Sequence, residues 1–231
     1  MINTEPLHEI QRTTRASAAL ETLRQAILEA RLAPGTPLLQ AELARQLGIS
    51  RAPLREALRE LEEEGLVVNV PFRGAFVTTV DRRSLDELCG FRNLIERFAV
   101  ARAIACASDA ELARLRHLVD EMQRHADAAD SDAVDAADIA FHTAICELAD
   151  HHLLLQVWHT YAPQIQRAMA LRNKVGRDPQ RIVDMHRPIV EAILRRDTAA
   201  AVACFAEHGT DLVSTLFGDG AATTDAVEVA R

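Results

Sequence analysis

The chain has 231 residues, 48% hydrophobic and only 4% aromatic, with Ala and Leu dominant; this is enough for one large or two modest domains and favours helices. No apolar run reaches the roughly 18 residues of a membrane span, the N-terminus lacks a signal-peptide core, and the four cysteines (Cys89, Cys106, Cys146, Cys204) are scattered without a CxxC pair. Membrane insertion and a disulfide scaffold are thereby excluded as expectations, and a cytoplasmic protein with reduced thiols is predicted; of the net charge of −8, residues 1–80 (nine Arg, ten Glu) carry only −1.

Residues 1–12 read as a loose tail, followed by a helix from Arg15 to Glu29 with Leu20, Leu23, Ile27 and Leu28 on one side. Pro34-Gly35 turns the chain. The stretch QAELARQLGISRAPLREALRELEEE (40–64) then reads as two helices joined at Gly48, where a sharp turn is easiest without a Cβ. Ser50 stands at the N-cap position of the second helix, and Pro53 in its first turn removes a backbone donor that Ser50 would otherwise cap. Arg51 and Arg55 are i,i+4 neighbours, so both guanidinium groups project from one side of the helix start, a placement suited to guanine edges or phosphates. Taken alone, the pair reads equally as an ordinary αα-corner with solvated arginines. LVVNV (66–70) and AFVTTV (75–80) are β-branched runs flanking Pro71-Phe72-Arg73-Gly74, which predicts a hairpin with a basic tip.

A helix-turn-helix followed by such a hairpin is a winged helix, and residues 23–78 resemble the DNA-binding domain of the GntR family of bacterial transcription regulators. The resemblance implies that Ser50, Arg51 and Arg55 contact bases and phosphates, that Arg73 and Gly74 bring the wing to the adjacent groove or backbone, and that Arg45 is a weaker phosphate contact. Ala41 stands where some relatives carry a DNA-contacting Arg. A homodimer would set two recognition helices in successive major grooves of a pseudo-palindromic double-stranded operator, about 34 Å apart.

After Val80 the strand signals end. A linker at 81–84 with Ser84 as cap, then six amphipathic helices, predict an antiparallel all-α bundle. In the first of these Leu88, Phe91, Ile95 and Phe98 form the expected inward face. The organisation expected is therefore a mainly α chain: a winged helix-turn-helix at 1–80, a helical domain at 81–220 and a disordered tail at 221–231.

Asp138 and His142 are i,i+4 on a side that also carries Val134, Phe141 and Ile145; His186 lies among Ile182, Ile189 and Ile193; His208 lies near Phe205 and Leu212. Three imidazoles and a carboxylate on inward faces of three helices can meet in a core and bind a divalent metal, with Zn, Ni, Mn or Fe all suited. Each histidine alone is more often a hydrogen-bonded core residue. Arg92 and Glu96 read as an i,i+4 surface pair.

FRNLIE (91–96), DIAFH (138–142), MHRPIVEAI (185–193) and CFAEH (204–208) are similar to motifs of the FCD effector-binding domain of the FadR subfamily. That resemblance implies metal ligation by Asp138, His142, His186 and His208, and an effector cavity in which Arg92 grips the carboxylate of a small organic acid. Helical phase adds Tyr161 and Arg172 as further lining residues. The expected protein is a ligand-responsive regulator and not an enzyme. The alternatives are a regulator sensing the metal itself, or a metal-dependent hydrolase or oxygenase, which four protein ligands and the lack of an HExxH-type general base disfavour.

Overall fold

A computed structural model describes residues 15–174, 178–208 and 210–218. The tails assigned from sequence at 1–12 and 221–231, and the first half of the turn Gly176-Arg177-Asp178-Pro179 expected before the fifth bundle helix, lie outside the described residues. Among the described residues there are ten helices and one two-stranded sheet.

The front part packs α1 (Arg15–Leu28), α2 (Gln40–Gln46) and α3 (Arg51–Glu63) against the hairpin β1 (Val67–Val70) and β2 (Gly74–Val77). Leu20, Leu23 and Ile27 of α1 meet Leu54, Leu58 and Leu61 of α3 in one apolar core, closed by Leu66, Val67 and Val77. The pairing is antiparallel, with Val67 opposite Val77 and Val70 opposite Gly74. Gly48 (φ +62°) makes the corner between α2 and α3, a backbone state that other residues adopt only with strain. Arg24 clamps α1 to the end of α3 through a two-pronged contact with Glu64, its Nε donating at 2.9 Å. This is a winged helix-turn-helix, as the motifs predict.

The rear part is α4 (Arg82–Cys106), α5 (Asp109–Asp127), α6 (Ser131–Leu148), α7 (His152–Lys174), α8 (Gln180–Leu194), α9 (Thr198–Glu207) and α10 (Thr210–Phe217). They enclose a second core around Phe141, Trp158, Ile189 and Phe205. Three sequence expectations change. The cap of α4 is Asp81, not Ser84: Asp81 Oδ1 accepts from the Ser84 amide at 2.9 Å, which leaves almost no linker after the wing. The sixth predicted helix is two, because the chain turns extended at His208 (φ −71°, ψ 129°) between α9 and α10.

The third change matters most. Phe91 and Phe98 face outward and Arg92 and Glu96 face inward, 5% and 1% exposed. The apolar residues of α4 therefore occupy two faces. The inner one, Leu85, Cys89, Ala99, Val100 and Ala103, carries the charged pair into the core. Such burial is tolerated only where each charge finds partners, and both do.

The two parts touch where α3 meets β1. A Cβ placed on Gly65 (φ +71°) would stand 2.5 Å from Gln164 Nε2 of α7, so the winged helix and the bundle approach closely at this point.

Candidate metal centre and nucleic-acid interface

The recognition helix presents its N-terminal arginines to solvent. Ser50, Arg51 and Arg55 are exposed, as are Arg45, Arg73 and Gly74. The Ser50 side chain makes no capping bond, consistent with Pro53 occupying the position whose N–H it would accept. Among the described residues Arg51 makes no hydrogen bond or ion pair. Arg55 donates only to Gln40 Oε1, at 3.2 Å. Arg45 is held by Glu42 (Nη2–Oε1 2.6 Å), which weakens it as a phosphate contact. At the wing tip Phe72 (φ +63°) precedes Arg73, whose guanidinium carbon lies 5.6 Å from the Phe76 ring centre. The four glutamates Glu60, Glu62, Glu63 and Glu64 lie at the far end of α3 and just beyond it.

In the bundle, α6 supplies Asp138 and His142, one turn apart; α8 supplies His186; and the break after α9 turns His208 inward. All four are buried, and one ligand atom from each lies within 4.8 Å of every other. The Nε2 atoms of His142 and His186 are 3.0 Å apart, as are those of His142 and His208, and His186 Nε2 is 2.8 Å from Asp138 Oδ1. Two nitrogens bound about 2.1 Å from a common ion at right angles stand about 3.0 Å apart, the separation seen here.

The donor set fits a cation on electrostatic grounds as well. His186 Nδ1 lies 2.7 Å from the Ile182 carbonyl, which can only accept, so Nδ1 carries a proton. With Nδ1 so engaged, His186 turns Nε2 toward the Asp138 carboxylate, the atom through which it would hold a metal ion. Asp138 Oδ2 is also buried without a hydrogen-bond partner. Burial opposes ionisation of Asp138, but His142 and His186 outweigh it and hold its carboxyl well below the usual range. Burial, reinforced by the other two imidazoles and Arg92, keeps the proton off His208. The carboxylate is thus ionised, His208 is neutral and an outer partner orients His186, while Glu96 and Asp138 hold a proton on His142 against the effect of burial, and a bound cation would displace it.

Glu96 is the residue that sequence reasoning missed. Its Oε1 lies 2.8 Å from His142 Nδ1 and 2.8 Å from Arg92 Nε. His142 Nδ1 makes no regular hydrogen bond, and the pair is an ion contact in which Glu96 raises the His142 pKa. Burial disfavours the Glu96 anion, yet Arg92 and His142 together keep it ionised. The signal was present in FRNLIE, one turn after Arg92.

Of the three effector residues, two line one space. Arg92 and Arg172 border a small pocket with Asp138, Met169, Met185 and His208, of about 20 Å³, room for one water-sized group. Arg92 Nη2 is 3.4 Å from His208 Nε2 and 3.8 Å from Asp138 Oδ2. Arg172 donates to Asp135 Oδ1 at 2.5 Å, while its buried Nε has no partner. Tyr161 does not line this space; its ring packs edge-on against Phe91 at 5.1 Å, on the outward side of α4. Trp158 and Ile165, the neighbours that suggested an inward phase, are buried, while Tyr161 lies at the edge of that face and is only half-buried.

The architecture is that of a DNA-binding regulator, a winged helix joined to a helical domain with a buried polar centre. Comparison with known proteins agrees. Residues 15–77 match the gntR family of bacterial regulatory proteins and residues 87–211 match the FCD domain, so the chain belongs to the GntR family of transcription regulators, in the group carrying an FCD domain. It is 32% identical over 201 residues to an uncharacterized HTH-type transcriptional regulator of Streptomyces ambofaciens, covering 85% of this chain and 82% of that protein. It is 29% identical over 203 residues to the galactonate operon transcriptional repressor of Escherichia coli, covering 78% and 87%. In fold it is similar to a putative GntR regulator from Rhodococcus (TM-score 0.75, 22% identity, 90% of this chain and 99% of that one). Family and relatives are regulators of transcription, which overturns the hydrolase or oxygenase alternative. No described helix is long and apolar enough to cross a membrane.

Proposed function

We propose that the chain is a dimeric repressor whose affinity for a pseudo-palindromic operator is set by a small carboxylate bound beside a divalent ion in the bundle. Asp138, His142, His186 and His208 would hold the ion, which as a Lewis acid supplies an attachment point for a carboxylate oxygen. The convergence of these four buried side chains carries the reading.

The local charge supports an anionic effector. Arg92 balances one of Glu96 and Asp138, and Arg172 faces Asp135, whose carboxyl burial pushes up to about 7. A dication then leaves at least one net positive charge, which a carboxylate offsets. Arg92, already 3.8 Å from Asp138 and directed at the same space, would grip that carboxylate. The galactonate operon repressor is named for the operon of a sugar acid, so sugar acids are the first class to try.

Access and response follow from the α9–α10 break. A cleft of about 360 Å³ lined by Arg82, Cys89, Asn93, Val213 and Ser214 ends at His208. An acid larger than the small pocket beside Arg92 would displace one of its walls, among them Leu212 of α10. Arg82, the first residue of α4, donates to the carbonyl of Gly218 at 2.8 Å and contacts that of Phe217. A shift of α10 is thereby passed to the junction two residues after Val80, where the wing ends. A useful switch needs about 1–3 kcal/mol of such coupling. Phe91, Leu94 and Phe98 of α4 and Leu153 at the start of α7 are exposed apolar side chains that support a homodimer seam there.

The near-closed pocket favours one second reading, in which the ion alone is the effector. A thermal-shift screen of metal-loaded protein with sugar acids and other small carboxylates separates the two. The expected result is a rise in melting temperature with at least one acid, and Arg92→Lys, which keeps the charge but loses the planar fork, weakening that binding about tenfold or more. An absence of any acid-induced shift, with DNA affinity changing on metal addition alone, would favour the metal-sensing reading.

A further inference from the structure

The groove between the wing and α7 holds a polar centre that the reading above does not use. Arg167 of α7 is 5% exposed, and its Nε and Nη1 have no hydrogen-bond partner. No acidic group among the described residues forms an ion pair with it. Burial draws its pKa down to about 10, which leaves it a cation at neutral pH. Thr78, just past β2 on the opposite wall, has a hydroxyl that is likewise buried without a partner. Both residues line a cavity of about 410 Å³ bounded by Val67 and Thr79 from the winged helix, Leu85 of α4 and Gln164 of α7. Glu62 also borders it, but its side chain is exposed and stays unpaired with Arg167.

A buried guanidinium without a counter-charge is costly and rarely retained without a reason. A cation and a hydroxyl, each with buried atoms lacking a partner and each on the lining of one cavity, are complementary to an oxygen-rich anion, which accepts from both. The walls come from both domains, and they meet at the close approach of Gly65 to Gln164. The cavity shares no lining residue with the pocket of Arg92 and His208.

We infer that this groove is a binding site for a small oxyanion, a carboxylate or a phosphate, held by Arg167 and Thr78 and bridging the winged helix to the bundle. It is distinct from the Asp/His centre and does not depend on that centre holding metal.

The test is isothermal titration of the full-length chain, stripped of metal by chelation and then dialysed into a chloride buffer, with inorganic phosphate and with malonate in separate arms. Saturable binding of at least one anion is expected, and the arm that binds identifies which oxyanion the site prefers. Arg167→Met should weaken it by about tenfold or more, and Thr78→Val, which preserves side-chain volume, by severalfold. Should Arg167→Met fail to fold, Thr78→Val carries the same test. The inference is overturned if neither anion binds up to about 50 mM, if both variants bind as the wild type does, or if binding appears only in metal-loaded protein, which would place the anion at the Asp/His centre.

Discussion

Arg51→Ala should abolish operator binding while leaving the fold intact. Arg51 is exposed at the start of α3 and free of intramolecular partners among the described residues, so its removal should change stability by less than about 0.5 kcal/mol. Its role at the DNA is another matter. An arginine reading a guanine edge contributes about 1–3 kcal/mol of discrimination, and a dimer on a pseudo-palindrome loses that contribution twice. The expected loss is therefore of the order of thirtyfold to ten-thousandfold. Fluorescence anisotropy on a site recovered by in vitro selection would measure it, with thermal denaturation as the control for folding. Arg45→Ala, by contrast, should weaken binding only slightly, because Glu42 already occupies that guanidinium. Wild-type affinity in Arg51→Ala would show that another surface reads the DNA.

The second large effect belongs to the proposed metal centre. An ion that binds the folded chain and not the unfolded one stabilises it by about 2.7 kcal/mol at a hundredfold excess over its dissociation constant. For a chain of this size that is about 5–10 °C in melting temperature. Chelation should lower the melting temperature of the wild type by this amount, and adding back a divalent ion should restore it. His186→Ala removes the central imidazole, which is within 3.0 Å of both His142 Nε2 and the Asp138 carboxylate. That variant should melt at the same temperature with and without chelator. An identical response of the variant and the wild type would mean that the three imidazoles serve packing alone.

How much of this was legible in the chain varies by element. The recognition helix was, because its signals are local: Ser50, Arg51, Pro53 and Arg55 lie within six residues, and Gly48 sits at the corner. Asp138 and His142 were legible for the same reason, being one helical turn apart. Their meeting with His186 and His208 is a tertiary event: inward helical phase made it possible, and the resemblance to FCD motifs strengthened the expectation. The inner face of α4 was misread because hydrophobic periodicity assumes that charge stays outside. Here Arg92 and Glu96 neutralise each other and bind the imidazole cluster, while Phe91 and Phe98 are left outside. The extended turn at His208 was hidden too, since CFAEH reads as continuous helix. Nothing local marks Arg167, whose isolation is created only when the wing packs against α7.

The account rests on the Asp/His cluster being a metal site, and elemental analysis of untagged protein tests this most directly. It predicts about one divalent ion per chain in the wild type and none in a His142→Ala, His186→Ala double variant. Wild-type protein that is purified metal-free, and that takes up none of Zn, Ni, Mn or Fe on incubation, would contradict it.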